Sequence, residues 1–142
     1  MDLVTRTSLT ATCQQTVMRF FSALDGGRLD DVANALAEDG VWHRQGAALQ
    51  GPSAVRAALA TRPPGRVTAH LVQNLVVDLE SETDALVHYM VLTYRYDAPN
   101  GAPGVAPLVA PLSIAAYDDR MRRVGDRWLV KERRSRVVFG PN

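Results

Sequence analysis

Apolar residues recur every three or four positions through much of the first 62 residues, which is the period of an amphipathic helix. The pattern is interrupted at Gly26-Gly27, near Gly40 and at Pro63-Pro64-Gly65, where helices commonly end. Three helices are therefore predicted, over residues 8–25, 29–39 and 52–62.

After residue 66 the apolar period changes to two, which is typical of half-buried β-strands. Four long strands are predicted, over residues 67–79, 85–96, 108–124 and 127–139. The first two form a hairpin, and the proline-containing segment 97–107 is predicted as a long loop. Pro111 is expected at a bulge or a strand start, because proline cannot donate a ladder hydrogen bond. Residues 41–43 read as a brief strand and residues 46–51 as a loop.

This order of elements predicts an α+β fold for residues 1–142 as a single domain. A strongly curved antiparallel sheet would have to wrap around the three N-terminal helices to bury both apolar faces, as a cone-shaped α+β barrel with one open mouth. Ligand sites favour such concavities, so a cavity is expected inside the cone.

Composition argues against nucleic acids and membranes as partners. The net charge of +1 gives no general attraction to nucleic acid, and the late arginines are interleaved with acids. No apolar run reaches the length of about 18 residues that spans a bilayer, and the first residues lack the apolar region of a signal peptide. The single cysteine, Cys13, cannot form an internal disulfide. These features predict a soluble cytoplasmic protein with no membrane partner.

One histidine lies in the first long strand and is the leading candidate for chemistry. His70, Val72 and Asn74 are two residues apart, so on a regular strand they point to one face, the expected wall of the pocket. A histidine with a pKa near ~6.5 exchanges protons at neutral pH. The alternative is a structural histidine bonded to a backbone carbonyl. His43, His70 and His88 lack the spacing of metal ligands, so no metal site is predicted.

Several segments resemble the SnoaL-like proteins of the nuclear transport factor 2-like superfamily. They are R-F-F-S-A-L-D-G-G-R-L-D-D-V, G-V-W-H-R-Q-G, G-P-S-A-V-R-A-A-L, A-H-L-V-Q-N-L-V-V-D and the last hairpin, and the resemblance runs from about Thr16 to Val138. It implies a cone-shaped α+β fold. The superfamily includes dehydratases, isomerases, cyclases, epoxide hydrolases, oxygenase small subunits and binding-only members, so the resemblance is specific for fold and not for reaction.

Within the superfamily, the scytalone dehydratase pattern places an aspartate at the end of the first helix and a histidine early in the sheet. Asp25 and His70 match those positions, whereas the second histidine of the pattern falls on Tyr94. The resemblance implies that Asp25 orients His70, and Tyr94 could donate a hydrogen bond to a developing oxyanion. A turn or helix-cap role for Asp25 and a core role for Tyr94 are the alternatives.

The remaining pocket residues are predicted from strand alternation and from the apolar stripe of the first helix. Tyr94 shares a face with Met90 and Leu92 by period-two counting, which places Tyr89 on the opposite face. The predicted substrate-binding residues are Phe21, Trp42, Asn74, Met90, Leu92 and Arg134. Trp42 is expected to point inward and His43 to the rim. Arg134 has a second interpretation, a buried ion pair with Asp119.

The sequence therefore favours a lyase or isomerase that acts by general acid-base catalysis, without a cofactor, on an apolar polycyclic or aromatic small molecule. The alternative from another class is a non-catalytic module of the same fold that binds a ligand or supports assembly. The apolar back of a curved sheet commonly pairs with a second copy, so a homodimer is expected.

Overall fold

The first helix begins before the apolar stripe does, because a polar residue caps it. In the computed structural model, which describes residues 1–101 and 104–141, α1 spans Leu3–Asp25. The carboxylate of Asp2 accepts a hydrogen bond from the backbone N–H of Thr5 at 2.8 Å. The start predicted at residue 8 was five residues too late. The apolar stripe could not reveal the first turn, because Leu3 is exposed and does not belong to the buried face.

The chain between the first and third helices contains more strand than predicted. Helix α2 is confined to Leu29–Asn34, and β1 follows at once over Leu36–Arg44. The carbonyl of Ala35 accepts a hydrogen bond of 2.8 Å from the backbone N–H of Val130, which ties this junction to the last strand. Leu36 therefore belongs to a strand and not to the second helix.

A short hairpin replaces the predicted loop before the third helix. Strand β2, Ala47–Gln50, pairs antiparallel with β1 through a turn in which Gln45 and Gly46 both have positive φ, at 52° and 79°. Two consecutive residues of positive φ match the twist of a tight hairpin. Helix α3 then spans Gly51–Leu59 with Pro52 in its first turn, as predicted from the proline.

Four long strands complete the sheet: β3 Arg66–Leu79, β4 Asp84–Asp97, β5 Ser113–Val124 and β6 Arg127–Phe139. Strand β5 begins five residues later than predicted, so Pro111 precedes the strand. Residues 102 and 103 of the predicted loop, and residue 142 of the predicted domain, lie outside the described residues.

In the described residues the six strands form one curved sheet in the order β2-β1-β6-β5-β4-β3. The α+β class with N-terminal helices against a curved sheet is confirmed. The sheet stays open between β2 and β3, so it is not a closed barrel, and β1 pairs with β6 in parallel rather than antiparallel. No helix among the described residues is long and apolar enough to cross a membrane. The homodimer and the cytoplasmic location stay predictions.

A buried ion pair lies in the core between α1 and the sheet. Arg133 donates from Nε and Nη2 to the two carboxylate oxygens of Asp119, both at 2.8 Å, and the Tyr89 hydroxyl donates to the same carboxylate at 2.8 Å. The side chains of Arg133 and Asp119 are 1% and 0% exposed. Burial opposes the charge of Arg133, but the Asp119 carboxylate outweighs it and raises the pKa of the guanidinium.

The predicted partner of Asp119 was wrong by one residue because β6 contains a bulge. Met121 pairs with Val130 and Arg120 with Glu132, so Lys131 is an extra residue on β6. The extra residue reverses the alternation of faces beyond it. As a result Arg133 points into the core, and Arg134 lies outside with its side chain 62% exposed and bonded to Glu132.

Removal of the buried acid should destabilise the fold far more than removal of its exposed neighbour. We expect Asp119→Ala to lower the free energy of unfolding by about 3–5 kcal/mol, because Arg133 would keep a buried charge without its partner. Asp118→Ala removes an ion pair with His88 at the surface and should cost less than about 1 kcal/mol. Urea unfolding of both variants measures the difference, and equal losses would contradict the assigned role of the buried pair.

Candidate active site

The end of α1 and the start of β3 bring a histidine and an aspartate together. His70 Nδ1 lies 2.6 Å from Oδ1 of Asp25, and the backbone N–H of His70 donates to Oδ2 at 2.8 Å. The hydroxyl of Thr68 donates to Oδ1 at 2.8 Å. With Nδ1 donating to the carboxylate, the neutral imidazole carries its free lone pair on Nε2. The arrangement supplies an oriented base.

The carboxylate of Asp25 is held in its charged form. Burial raises its pKa, but the hydrogen bonds from the His70 ring and backbone, the charge of His70 and the Thr68 hydroxyl outweigh burial, and the net pKa lies below the ordinary 3.8. The side chains of His70 and Asp25 are 13% and 25% exposed. Both side chains of the pair are therefore partly exposed to solvent.

Aromatic side chains fill the interior behind the pair. Phe21 packs on the imidazole of His70 with ring centroids 5.6 Å apart, and it meets Tyr89 and Tyr117 edge-on at 5.9 and 5.7 Å. The two tyrosine rings stack at 5.2 Å. Side chains therefore occupy the space behind His70 in which a deep cavity was expected.

One donor in this interior has no acceptor. Within residues 1–101 and 104–141, Nη1 of Arg133 is the buried side-chain nitrogen that makes no hydrogen bond. The guanidinium lies 4.0 Å from the ring centroid of Phe20 and 5.2 Å from that of Phe21. Because Nε and Nη2 are bound to Asp119, Nη1 is the donor left over for another acceptor.

The structure corrects the face assigned to β4. Val87, Tyr89 and Val91 are buried and point inward, with relative exposures of 0%, 3% and 0%. Tyr94, Met90 and Leu92 lie on the opposite face. Both faces of this strand carry apolar residues, so alternation alone could not tell which one is inside. Tyr89, excluded by the sequence, is the inward tyrosine.

Asn74 is also displaced from the predicted wall. Asn74 and Leu75 together oppose Tyr89, which makes a bulge, and Asn74 has a φ of 54°. Val72 packs against the core and Asn74 is exposed. After the bulge the odd-numbered residues point inward. The prediction that every second residue from His70 faces the pocket therefore holds for Val72 but fails at Asn74.

The residues predicted on helix α1 and strand β1 do face inward. Phe21 and Trp42 are 2% and 4% exposed, and both rings belong to the aromatic cluster around Arg133. His43 is half-buried and bonds to Glu132 at 3.4 Å, and its place at a rim stays a prediction. Arg134, predicted to bind substrate, is on the outer face because of the bulge at Lys131.

Three arginines that interact electrostatically with one another, one of them beside Asp25, were not predicted from the sequence. Arg62 donates from Nη2 to the Thr68 hydroxyl at 2.8 Å, and Arg66 is bound to Asp97 at 2.7 and 3.0 Å. The guanidinium of Arg44 lies 5.3 Å from the ring centroid of Trp42. Arg44 follows Trp42 by two residues on a strand, which was a usable signal that it shares the inner face.

Two surface concavities lie elsewhere on the molecule. One, of about 810 Å³, is bounded by α1, α2 and the turn between β5 and β6, and the other, of about 500 Å³, lies at the start of β5 and the end of β6. Neither is lined by His70 or Asp25. Among the described residues, no three side chains of histidine, cysteine, aspartate or glutamate are grouped to hold a metal ion.

The family is decided by a match over most of the chain. The profile of the SnoaL-like domain matches residues 5–134. This protein belongs to the SnoaL-like family. A search among curated protein sequences found no match.

Solved structures share the SnoaL-like fold at low sequence identity. A hexachlorocyclohexane dehydrochlorinase, LinA type 2, is 16% identical with a TM-score of 0.80, over 97% of this chain and 90% of that one. A putative scytalone dehydratase from Novosphingobium aromaticivorans is 22% identical with a TM-score of 0.75, over 91% and 83% of the two chains. Aln2 from a Streptomyces species is 19% identical with a TM-score of 0.73, over 89% and 88%. At these identities the likeness shows the fold alone.

The lowered pKa of Asp25 should give the folding free energy a defined pH dependence. A carboxyl group whose pKa is lower in the folded chain stabilises the fold above its unfolded pKa, and this contribution is lost as the pH falls through the folded pKa. We expect wild type to exceed Asp25→Asn in stability by about 1–3 kcal/mol at pH 7, where the charged hydrogen bonds are intact. The margin should shrink below pH 3.8, the ordinary pKa of the group.

Urea unfolding of both proteins from pH 7 down to the lowest pH at which they fold would measure this margin. A margin that stays constant, or that grows, as the pH falls below 3.8 would contradict the assigned electrostatics of Asp25.

Proposed function

We propose that this SnoaL-like protein is a lyase or isomerase in which His70 acts as a general base oriented by Asp25. The observation that carries the proposal is that His70 makes two hydrogen bonds to the carboxylate of Asp25. One comes from the ring Nδ1 at 2.6 Å and the other from the backbone N–H at 2.8 Å. They fix the ring orientation and the tautomer, which leaves Nε2 as the basic atom.

The proposed reaction begins with proton abstraction from carbon. Nε2 of His70 takes a proton from a carbon next to an electron-withdrawing group, and the electron pair of the C–H bond forms a double bond. In an elimination the leaving group departs from the neighbouring carbon with its bonding electrons, and in an isomerisation the imidazolium returns the proton to another carbon. Asp25 stabilises the imidazolium that forms between the two steps.

Developing negative charge needs a donor other than the predicted Tyr94, which faces the other side of the sheet. Tyr89 is committed to Asp119. Burial raises the pKa of its phenol well above the usual range, so it stays neutral. Nη1 of Arg133 has no acceptor but is buried behind Phe20 and Phe21, so Arg133 would stabilise a developing negative charge through its own positive charge and not through a direct hydrogen bond.

The names of two structural neighbours support elimination chemistry. A dehydratase removes water and a dehydrochlorinase removes hydrogen chloride, and both names belong to proteins with this fold. The aromatic surroundings of His70, with the Phe21 ring 5.6 Å away, favour a flat, mostly apolar ring system as substrate.

A second candidate function is a non-catalytic ligand-binding or assembly module of the same family. The observation that favours it is the filled interior, where Phe21, Tyr89 and Tyr117 occupy the depth of the cone. In such a module the pair of His70 and Asp25 would serve only to join α1 to β3.

A model elimination separates the two candidates. The probe is 3-hydroxy-1-tetralone, which loses water to give 1-naphthol, followed by the absorbance of the naphthol; exchange of the C2 protons of 1-tetralone in D₂O, followed by NMR, reports proton abstraction alone. We expect wild type to accelerate at least the exchange and His70→Ala to lose about 10²–10⁴-fold of that rate.

His88→Ala is the matched control, because His88 also pairs with an aspartate but on the outer face, with its side chain 49% exposed. It should keep the wild-type rate. Equal rates for His70→Ala and wild type would remove His70 from the mechanism, and the absence of any protein-dependent rate would favour the binding module.

A further inference from the structure

Three arginines from different segments lie close enough to one another to interact electrostatically, and one of them, Arg62, also interacts with Asp25. Arg44 ends β1, Arg62 follows α3 and Arg66 begins β3. Arg62 reaches the active-site pair through hydrogen bonds, because its Nη2 donates to Thr68 and Thr68 in turn donates to Asp25, each at 2.8 Å. The charge of Arg62 therefore lies beside the candidate base.

Two of these arginines lack a carboxylate. Arg66 is neutralised by Asp97. Among residues 1–101 and 104–141, neither Arg44 nor Arg62 forms an ion pair within 4.0 Å, although both are half-buried. Burial lowers the pKa of each, and the nearby guanidinium of Arg66 lowers both further. Half-buried charges of one sign that repel each other are unfavourable unless an anion joins them.

We propose that the substrate of this site carries a carboxylate, which Arg44 and Arg62 bind while His70 faces the reacting carbon. The inference rests on the proposed function and names its substrate class. A guanidinium presents its donors in a planar fork that matches a carboxylate, which makes arginine well suited to this contact.

The charge balance favours an anionic substrate. Three guanidinium groups, of Arg44, Arg62 and Arg66, stand against the carboxylates of Asp25 and Asp97, so one positive charge is in excess before the exposed Arg95 is counted. Only Thr68 and Asp25 separate Arg62 from His70 along the hydrogen bonds. The bound charge therefore lies near the reacting carbon, where the same field favours the negative charge that develops on proton abstraction.

Binding of a matched pair of probes tests the proposal without turnover. The probes are 1-naphthoate and its neutral analogue 1-naphthamide, titrated into the intact protein by isothermal calorimetry. We expect naphthoate to bind wild type at least about tenfold more tightly than naphthamide, a difference of about 1.4 kcal/mol. The preference should fall in about 1 M salt, where the Debye length is only ~3 Å.

Three substitutions assign the preference to these residues. Arg44→Gln and Arg62→Gln should each weaken naphthoate about three- to tenfold and leave naphthamide unchanged. Arg56→Gln is the control, since Arg56 binds Asp30 and Asn34 on the other side of α3 and should keep the wild-type preference. Circular dichroism checks that each variant is folded, and the salt dependence of wild type stands independently of them.

His70→Ala separates this proposal from the proposed function. It should bind naphthoate as wild type does while losing proton abstraction, since the arginines are untouched. Equal affinities of wild type for the two probes, no binding of either, or an unchanged preference in both arginine variants would overturn the carboxylate site. If the preference is present but wild type catalyses neither model reaction, the acid-base function fails and an anion-binding site remains.

Discussion

The carboxylate of Asp25 joins the helical layer to the edge of the sheet. It is the last residue of α1, and it accepts three hydrogen bonds from β3, from the Thr68 hydroxyl and from the backbone and ring of His70. Strand β3 is an edge strand with β4 as its one neighbour in the described sheet, so this contact fixes how the strand lies on the helix. A charged acceptor with three donors is both a structural clamp and the means of orienting a base. The two interpretations of Asp25, local and catalytic, are therefore compatible.

A second polar cluster, deeper in the same interior, explains why so little space is left there. Arg133 needs Asp119, and Asp119 also binds Tyr89, so the three side chains act as one unit in the core. Phe20, Phe21, Trp42 and Tyr117 surround the guanidinium at 4.0 to 5.9 Å. Contacts between the guanidinium and the faces of aromatic rings are favourable cation–π interactions. The interior behind His70 is consequently filled by side chains, and the half-buried Arg62 lies beside the pair of His70 and Asp25 through its hydrogen bond to Thr68.

Much of the fold could be predicted from periodicity, and the pairing of His70 with Asp25 could be predicted from the family resemblance. The errors at Asn74 and Arg134 share one cause, which is that period-two counting assumes an uninterrupted strand. The bulge at Asn74 moved that residue out of the wall, and the bulge at Lys131 exchanged Arg134 for Arg133. On β4 the strand is regular but apolar on both faces, so Tyr94 and Tyr89 could not be distinguished. Arg62 was missed because its position depends on how the chain leaves α3, which no local pattern encodes.

The bulge at Asn74 also divides β3 into two halves that follow different rules. Before it, Thr68 and His70 face the helix, and after it Leu75, Val77 and Leu79 take that side. The added residue thus changes which positions face the helix, from even-numbered ones before the bulge to odd-numbered ones after it. The inward side chains of the half that holds His70 and of the half that packs in the core therefore follow separate patterns. Selection could alter the first half for a new ligand without repacking the second. A deletion of residue 74 would remove the bulge, so that in one half of the strand the inward side chains would point outward and the outward ones inward.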